Sequence, residues 1–277
     1  MLRRVKTRIK QSYSTIVEHL LRQALKLHPS LLLSLNSITV PKGLQGEPFT
    51  YQKDGLATIH NSDCLTEPRF LQAYLLGKST DSWKDWDLEW RVYVVLWCAE
   101  WAARLPGHFV ECGVNRGGFA RAILDYIPLD GSSRSYFLFD TFKGFDDAFL
   151  TADEKSTVAK SYAYDECYET VKREFAAFPF VKLVQGSVPD TLSLVAIEKV
   201  AFLSIDMNCV APEIAAAKFF WPRMAPGGVI ILDDYGFSLH SQQKAAFDAL
   251  VKEWNVSILS LPTGQGLIFK PTTAAHD

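Results

Sequence analysis

The chain has few cysteines for its 277 residues. Cys64, Cys98, Cys112, Cys167 and Cys209 are odd in number, scattered, and form no C-x-x-C pair. That excludes a disulfide-stapled scaffold and a cysteine zinc site, and it suits free thiols in a reducing compartment. No apolar run reaches the ~18–20 residues of a membrane span. No excess of one charge exists: 29 Lys and Arg stand against 31 Asp and Glu, a net charge of -2. Nothing in that balance favours nucleic acid as a partner. Internal repeats and low-complexity segments are missing. The opening "MLRRVKTRIK" is basic, but no signal-peptide core follows it closely, so a cytoplasmic location is expected.

What is present is an ordinary globular composition, 48% hydrophobic and 22% charged. The length suits one large α/β domain plus an appendage. Residues 1–36 read as helix, with Leu20, Leu21, Ala24, Leu25 and Leu27 as the apolar set. A basic amphipathic helix can lie on an anionic membrane. Packing on its own domain or on a second copy is the expectation here, and a homo-oligomer with it. Residues 37–62 read as irregular. Helices are expected at 67–76 and 87–104, the second with Trp90, Tyr93, Val94, Trp97, Cys98 and Trp101 at helical spacing. Trp83, Trp86 and Trp90 suit either a core or a platform for a sugar ring.

From residue 108 the rhythm changes. "HFVEC", "SYFLFD", "FVKLVQ", "VAFLSID" and "GVIILDD" are short apolar strands separated by helical stretches at 117–126, 164–177 and 212–224. A helix at 239–254 and a closing hairpin, "VSILSL" and "GLIFK" around "PTGQG", complete the series. Alternation of this kind predicts a mostly parallel seven-stranded sheet covered on both faces, with an antiparallel hairpin at its end. The expected division is a helical cap over 1–104 and an α/β domain over 105–277.

Ligands of open α/β sheets bind beyond the carboxyl ends of the strands. Those ends are Glu111, Asp140, Gln185-Gly186, Asp206 and Asp233-Asp234. "ECGVNRGGFA" is a glycine-rich strand-to-helix turn, in which Gly113, Gly117 and Gly118 permit tight turning and close backbone approach. It is E-x-G-x-x-x-G and not G-x-G-x-x-G, which disfavours a nicotinamide dinucleotide. An acid at Glu111 suits a ligand with an ammonium or sulfonium group. Asp140 ends the next strand, where a carboxylate accepts ribose hydroxyls. Together these residues point to S-adenosylmethionine. Asn115 in the turn, Thr141 beside Asp140, and Gly186-Ser187 at the adenine edge join the expected cofactor set, as does Asp206.

Asp206, Asp233 and Asp234 end two strands expected to be neighbours. Clustered carboxylates raise one another's pKa unless a cation sits among them. Oxygen ligands without His or Cys suit Mg²⁺ or a similar ion. The alternative is that Asp233 or Asp234 caps the next helix.

Four blocks, "GHFVECGVNRGGFA", "FLFDTFKGFDD", "IDMNCVAPEI" and "PGGVIILDDYG", resemble the macrocin O-methyltransferase (TylF-type) family in order and spacing. The resemblance covers roughly 105–270. It implies a Rossmann-like class I methyltransferase fold with a helical N-terminal cap, and metal-assisted methylation of a sugar hydroxyl from S-adenosylmethionine. It implies Asp206, Asp233 and Asp234 as metal ligands and Asp140 as the ribose ligand. Family members commonly carry D-x-D where this chain has "IDMN", with the second acid as general base. Asn208 stands in that place, and an amide accepts no proton at neutral pH. Either another group is the base, with His240, six residues past Asp234, the candidate, or a bound metal lowers the hydroxyl's pKa enough for water to take the proton, or methyl transfer is lost. The stretch 140–166 is expected to be a lid. The rival readings are methyl transfer to a catechol-like phenol and a cofactor-binding protein without catalysis.

Overall fold

The computed structural model describes residues 49–129 and 134–272. The helix expected over 1–36 lies outside them. Two short strands come first, β1 (Tyr51–Lys53) and β2 (Leu56–Thr58), paired as an antiparallel hairpin around Asp54-Gly55. The helices α1 (Pro68–Ser79) and α2 (Glu89–Ala102) follow. Then come β3 (His108–Cys112), α3 (Gly118–Tyr126) and β4 (Tyr136–Asp140). The segment expected as a lid holds α4 (Ala152–Ser156) and α5 (Val158–Ser161). The rest of the chain is α6 (Tyr168–Glu174), β5 (Val181–Gln185), β6 (Val200–Ile205), α7 (Val210–Phe220), β7 (Met224–Leu232), α8 (Ser241–Glu253), β8 (Leu259–Ser260) and β9 (Gly266–Phe269).

The sheet order is β5-β4-β3-β6-β7-β9-β8. Pairing is parallel from β5 to β7 and antiparallel at β7–β9 and β8–β9. β6 is buried along its whole length, as a central parallel strand covered on both faces must be. Two apolar layers flank the sheet. One is built on Phe109, Ile123, Leu138 and Phe202, and the other on Val110, Phe139, Leu203 and Phe220.

Residues 49–104, expected as part of a separate cap, pack into the same compact unit as the sheet. Trp83 of the loop after α1 is buried, stacked on Tyr74 at 5.7 Å and against Phe119 of α3 at 5.6 Å. Trp90 packs edge-on to Tyr51 and Tyr93. Of the three candidate platform tryptophans, Trp83 is core, Trp90 packs half-buried against it, and Trp86 alone is exposed, at 63%. All five cysteines are free.

The chain reverses its direction of sheet growth between β3 and β6. A crevice opens beyond the carboxyl ends of strands at such a switch point. It holds a cavity of about 500 Å³ that reaches from the glycine turn to the acid cluster.

Candidate active site

The glycine turn is built for close approach. Gly113 has φ of 89°, and a Cβ there would lie 1.8 Å from the Asp206 carbonyl oxygen. Gly117 has φ of 86°, and a Cβ there would strike the Phe175 ring at 2.6 Å. Asn115 is also left-handed, at φ 50°. Its side-chain amide donates to the Ser82 carbonyl (3.1 Å), and the Gly118 N–H donates to Ser82 Oγ (2.9 Å). A loop preceding α2 thus braces the turn.

Asp140 does more than face a ligand. Its Oδ2 accepts the backbone N–H groups of Val114 (2.6 Å) and Asn115 (2.8 Å), and its Oδ1 accepts that of Phe142 (2.6 Å). It ties the end of β4 to the glycine turn while lining the cavity. Burial raises its pKa against the pull of those donors. Thr141 donates to the Gly144 carbonyl and so shapes the turn that follows. Gly186 and Ser187 line the cavity as expected, and Ser187 donates to Asp146 at 2.6 Å. Asp146 was not expected there, although it stands in the quoted "FKGFDD".

Glu111 is 1% exposed and reaches the cavity wall from β3. Tyr136 donates to its Oε2 at 2.7 Å. Burial pushes its pKa up to about 8.

The acid cluster is positioned by strand register. Ile205 pairs with Leu232, so Asp206 and Asp233 follow side by side as the strands end. The expected cation among them is partly supplied by the chain. Arg91 of α2, 8% exposed, places Nη1 2.8 Å from Asp233 Oδ2 and 3.9 Å from Asp234 Oδ1. Its Nε and Nη2 fork onto Asp54 at 2.8 and 2.9 Å. Burial opposes its charge, but Asp233 and Asp54 outweigh that and hold its pKa above the ordinary arginine value.

Gln265 donates to the other Asp233 oxygen at 2.9 Å. Both oxygens of Asp233, one of the three carboxylates expected to hold a metal, thus have partners supplied by the chain. Among the described residues, no group of three or more His, Cys, Asp or Glu side chains is arranged to hold a metal ion. Asp206 and Asp234 are held well above the carboxylate range by burial and then by Asp233.

Asn208 has φ of 58° and is 6% exposed. Glu213, in the first turn of α7, accepts the N–H groups of Met207 (3.0 Å) and Asn208 (2.9 Å) and so fixes this turn. The Asn208 amide donates to Asp206 Oδ1 at 3.0 Å, and its Oδ1 has no hydrogen-bond partner among the described residues.

His240, the candidate base, is not among the residues that line the cavity. It is 1% exposed, in a 3₁₀ turn at Ser238–His240. Its Nδ1 bonds Gln243 Oε1, and its Nε2 lies 3.1 Å from the Tyr162 hydroxyl and 3.5 Å from Asp234 Oδ2. Burial lowers its pKa. Tyr162 and Tyr164 line the cavity instead, with rings stacked at 5.9 Å. The segment that carries them is tethered by Glu154, which accepts the Val210 N–H at 2.7 Å.

A family model for macrocin-O-methyltransferase (TylF) matches residues 98–256, more than half of the chain. The chain belongs to the macrocin O-methyltransferase family. It is 32% identical over 155 residues to mycinamicin III 3''-O-methyltransferase of Micromonospora griseorubida, a match covering 50% of this chain and 59% of that protein. It is 24% identical over 182 residues to a Streptomyces olivaceus protein named as a 4'-O-methyltransferase of a rhamnosyl tetracenomycin, covering 62% and 68%. The first match thus spans about three fifths of the relative's length. Among solved structures, the O-methyltransferase NovP is similar with a TM-score of 0.61 at 20% identity, over 75% of this chain and 99% of NovP. That likeness supports the class I methyltransferase fold.

Proposed function

We propose that this macrocin O-methyltransferase family member transfers the methyl group of S-adenosylmethionine to a hydroxyl of a sugar in a glycosylated metabolite. One observation carries the reading: a single cavity joins the E-x-G-x-x-x-G turn and Asp140 to the acid cluster at Asp206 and Asp234. The first half suits the cofactor and the second suits a hydroxyl that must lose a proton. The family and the rhamnosyl-directed relative support a sugar acceptor.

In this reading Glu111, Gly113, Asn115, Gly117, Gly118, Asp140, Thr141, Gly186 and Ser187 form the cofactor side. The acceptor oxygen attacks the sulfonium methyl in line, leaving a neutral thioether. Holding the two partners together supplies much of the rate. Asn208 positions the acceptor through Oδ1, a buried acceptor atom that is costly to leave unpaired. The proton passes to the Tyr162 hydroxyl as Tyr162 gives its own to His240 Nε2. The Nδ1–H bond to Gln243 fixes the tautomer that leaves Nε2 free to receive it.

If a hard divalent cation binds, Asp206 and Asp234 would be its ligands, two carboxylates in place of the expected three. Arg91 divides one positive charge between Asp54 and Asp233, so these two carboxylates lack a full counter-charge. A bound Mg²⁺ would supply Lewis acidity that lowers the acceptor's pKa.

The test is a panel of glycosides and catechols offered with methyl-labelled cofactor. Transfer to glycosides supports the reading. Transfer only to catechols favours the phenol alternative, and cofactor binding without any transfer favours a non-catalytic protein.

A further inference from the structure

Exposed apolar side chains are ordinary when scattered and informative when they gather at a site. Among the described residues, Trp86 at 63% and Leu239 at 43% are the exposed large apolar side chains that also line the cavity. Methyl transfer itself gives neither of them a role. They come from two elements that meet at the acid cluster. Trp86 lies in the loop between α1 and α2, shortly before Arg91, whose Nη1 is 2.8 Å from Asp233. Leu239 lies in the 3₁₀ turn after β7, next to His240, whose Nε2 is 3.5 Å from Asp234. Phe237 leads into that turn and also lines the cavity, with its ring centre 4.9 Å from Arg91 Cζ. This contact joins the two elements, so apolar surface borders the acids.

The loop that carries Trp86 is tied down on both sides of it. Ser82 Oγ accepts the Gly118 N–H at 2.9 Å, the Asp87 carboxylate pairs with Lys53 and Lys78, and the Leu88 N–H donates to the Tyr74 hydroxyl at 3.3 Å. Trp83 supplies the packing of this loop, stacked on Tyr74. The Trp86 indole is left largely in solvent on a fixed backbone, which preorganises it for an apolar ligand.

Charge narrows what the acceptor sugar is attached to. A sugar nucleotide brings a diphosphate, which calls for Arg or Lys. At the acid end Arg91 is held by Asp54 and Asp233, and Lys84 donates to the Ala163 carbonyl at 3.5 Å. Arg116 and Lys143 line the cavity too, but they belong to the glycine turn and to the turn after Asp140, on the cofactor side. Beside its carboxylates the acid end presents the indole, phenyl and isobutyl surfaces of Trp86, Phe237 and Leu239.

We infer that Trp86 and Leu239 form a platform for an apolar aglycone, which holds the attached sugar with its hydroxyl at the acids. The acceptor is then a finished glycoside, and glycosyl transfer to the aglycone is the class of reaction that supplies it. Trp86 precedes residues 98–256, so this half of the platform lies outside the part of the chain that the family model covers. The inference rests on the sugar reading above and adds the group that the sugar carries.

The test is steady-state kinetics of the full chain with S-adenosylmethionine and three acceptors: 2-naphthyl rhamnoside, methyl rhamnoside and thymidine diphosphate rhamnose. The naphthyl glycoside should have the lowest KM. Trp86→Ala should raise that KM by about 10–100-fold, the loss of one large apolar contact. Its kcat, and its KM for methyl rhamnoside, should each move by less than about threefold, since the indole does not touch the reacting atoms. Trp86→Phe should recover most of the loss, and Leu239→Ala should raise the naphthyl KM by about 3–10-fold. Both side chains are exposed, so the variants should keep the wild-type melting temperature. A lowest KM for the sugar nucleotide, or a naphthyl KM unmoved in Trp86→Ala, would overturn the inference alone. An equal rise for naphthyl and methyl rhamnosides would make Trp86 a sugar contact and would also overturn it. Transfer to none of the three, with S-adenosylhomocysteine still bound, would remove the sugar reading and this inference with it.

Discussion

Arg91 and Asp233 form a buried ion pair, Nη1 to Oδ2 at 2.8 Å, between a helix of the first hundred residues and the end of β7. Two adjacent carboxylates at a strand end need a compensating charge, and this guanidinium supplies part of it. Arg91→Met should destabilise the protein by about 3–5 kcal/mol, because Asp54 and Asp233 are left buried and unpaired. Arg91→Lys should recover only part of that loss, since a lysine cannot fork onto Asp54 while holding Asp233. Urea denaturation measures both. A loss under about 1 kcal/mol in Arg91→Met would mean that the two acids find other partners.

Asp140→Ala should weaken S-adenosylmethionine binding and also lower stability by about 1–3 kcal/mol, the cost of stranding buried N–H donors. Three backbone N–H groups depend on this carboxylate. Asp140→Asn keeps an acceptor oxygen and should lose less. Wild-type stability in Asp140→Ala would remove its bracing role.

Tyr162→Phe and His240→Gln should each lower kcat by about 10²–10⁴, the usual range for a positioned proton acceptor. Cofactor affinity should stay the same, because neither residue belongs to the cofactor side. Burial lowers the His240 pKa, so its neutral form persists below the ordinary ~6.5. Turnover governed by this group should therefore stay level above about pH 6.5 and fall only in more acid solution. Full kcat in Tyr162→Phe would send the proton elsewhere.

Much of this architecture was legible because its causes are local. Apolar strands such as "VAFLSID" and glycine turns such as "ECGVNRGGFA" announce themselves through composition and period. Strand ends name the cavity's acids once the sheet is parallel, and Glu111, Asp140, Asp206 and Asp234 all line it. The hairpin at β1–β2 was missed, although Asp54-Gly55 is a strong turn signal. Arg91 was not legible. It lies 142 residues from Asp233 in a stretch of Trp, Val and Tyr at helical spacing, and only tertiary packing brings its charge to the cluster. His240 follows Asp234 by six residues, and its Nε2 lies 3.5 Å from that carboxylate. Its concealment behind Tyr162 depends on how the 141–166 segment folds back, which no local pattern reports.

Chelation separates the two sources of positive charge. If Asp206 and Asp234 hold a divalent ion, EDTA should abolish turnover and Mg²⁺ should restore it, while S-adenosylhomocysteine binding changes little. Asp206→Asn and Asp234→Asn should raise the metal concentration required. Asp233→Asn should instead act mainly on stability, through Arg91. Undiminished turnover in EDTA would leave Arg91 as the compensating charge and remove the metal from the proposal.

The central claim is methyl transfer to a sugar oxygen at the junction of the glycine turn and the acid cluster. The most direct measurement pairs a rhamnosylated aromatic compound with its aglycone, supplies cofactor bearing a deuterated methyl group, and locates the label by mass spectrometry. The predicted result is one labelled methyl on a sugar oxygen of the glycoside, with the aglycone untouched. Label on a phenol of the aglycone, or bound cofactor left unconsumed by every glycoside offered, would contradict it.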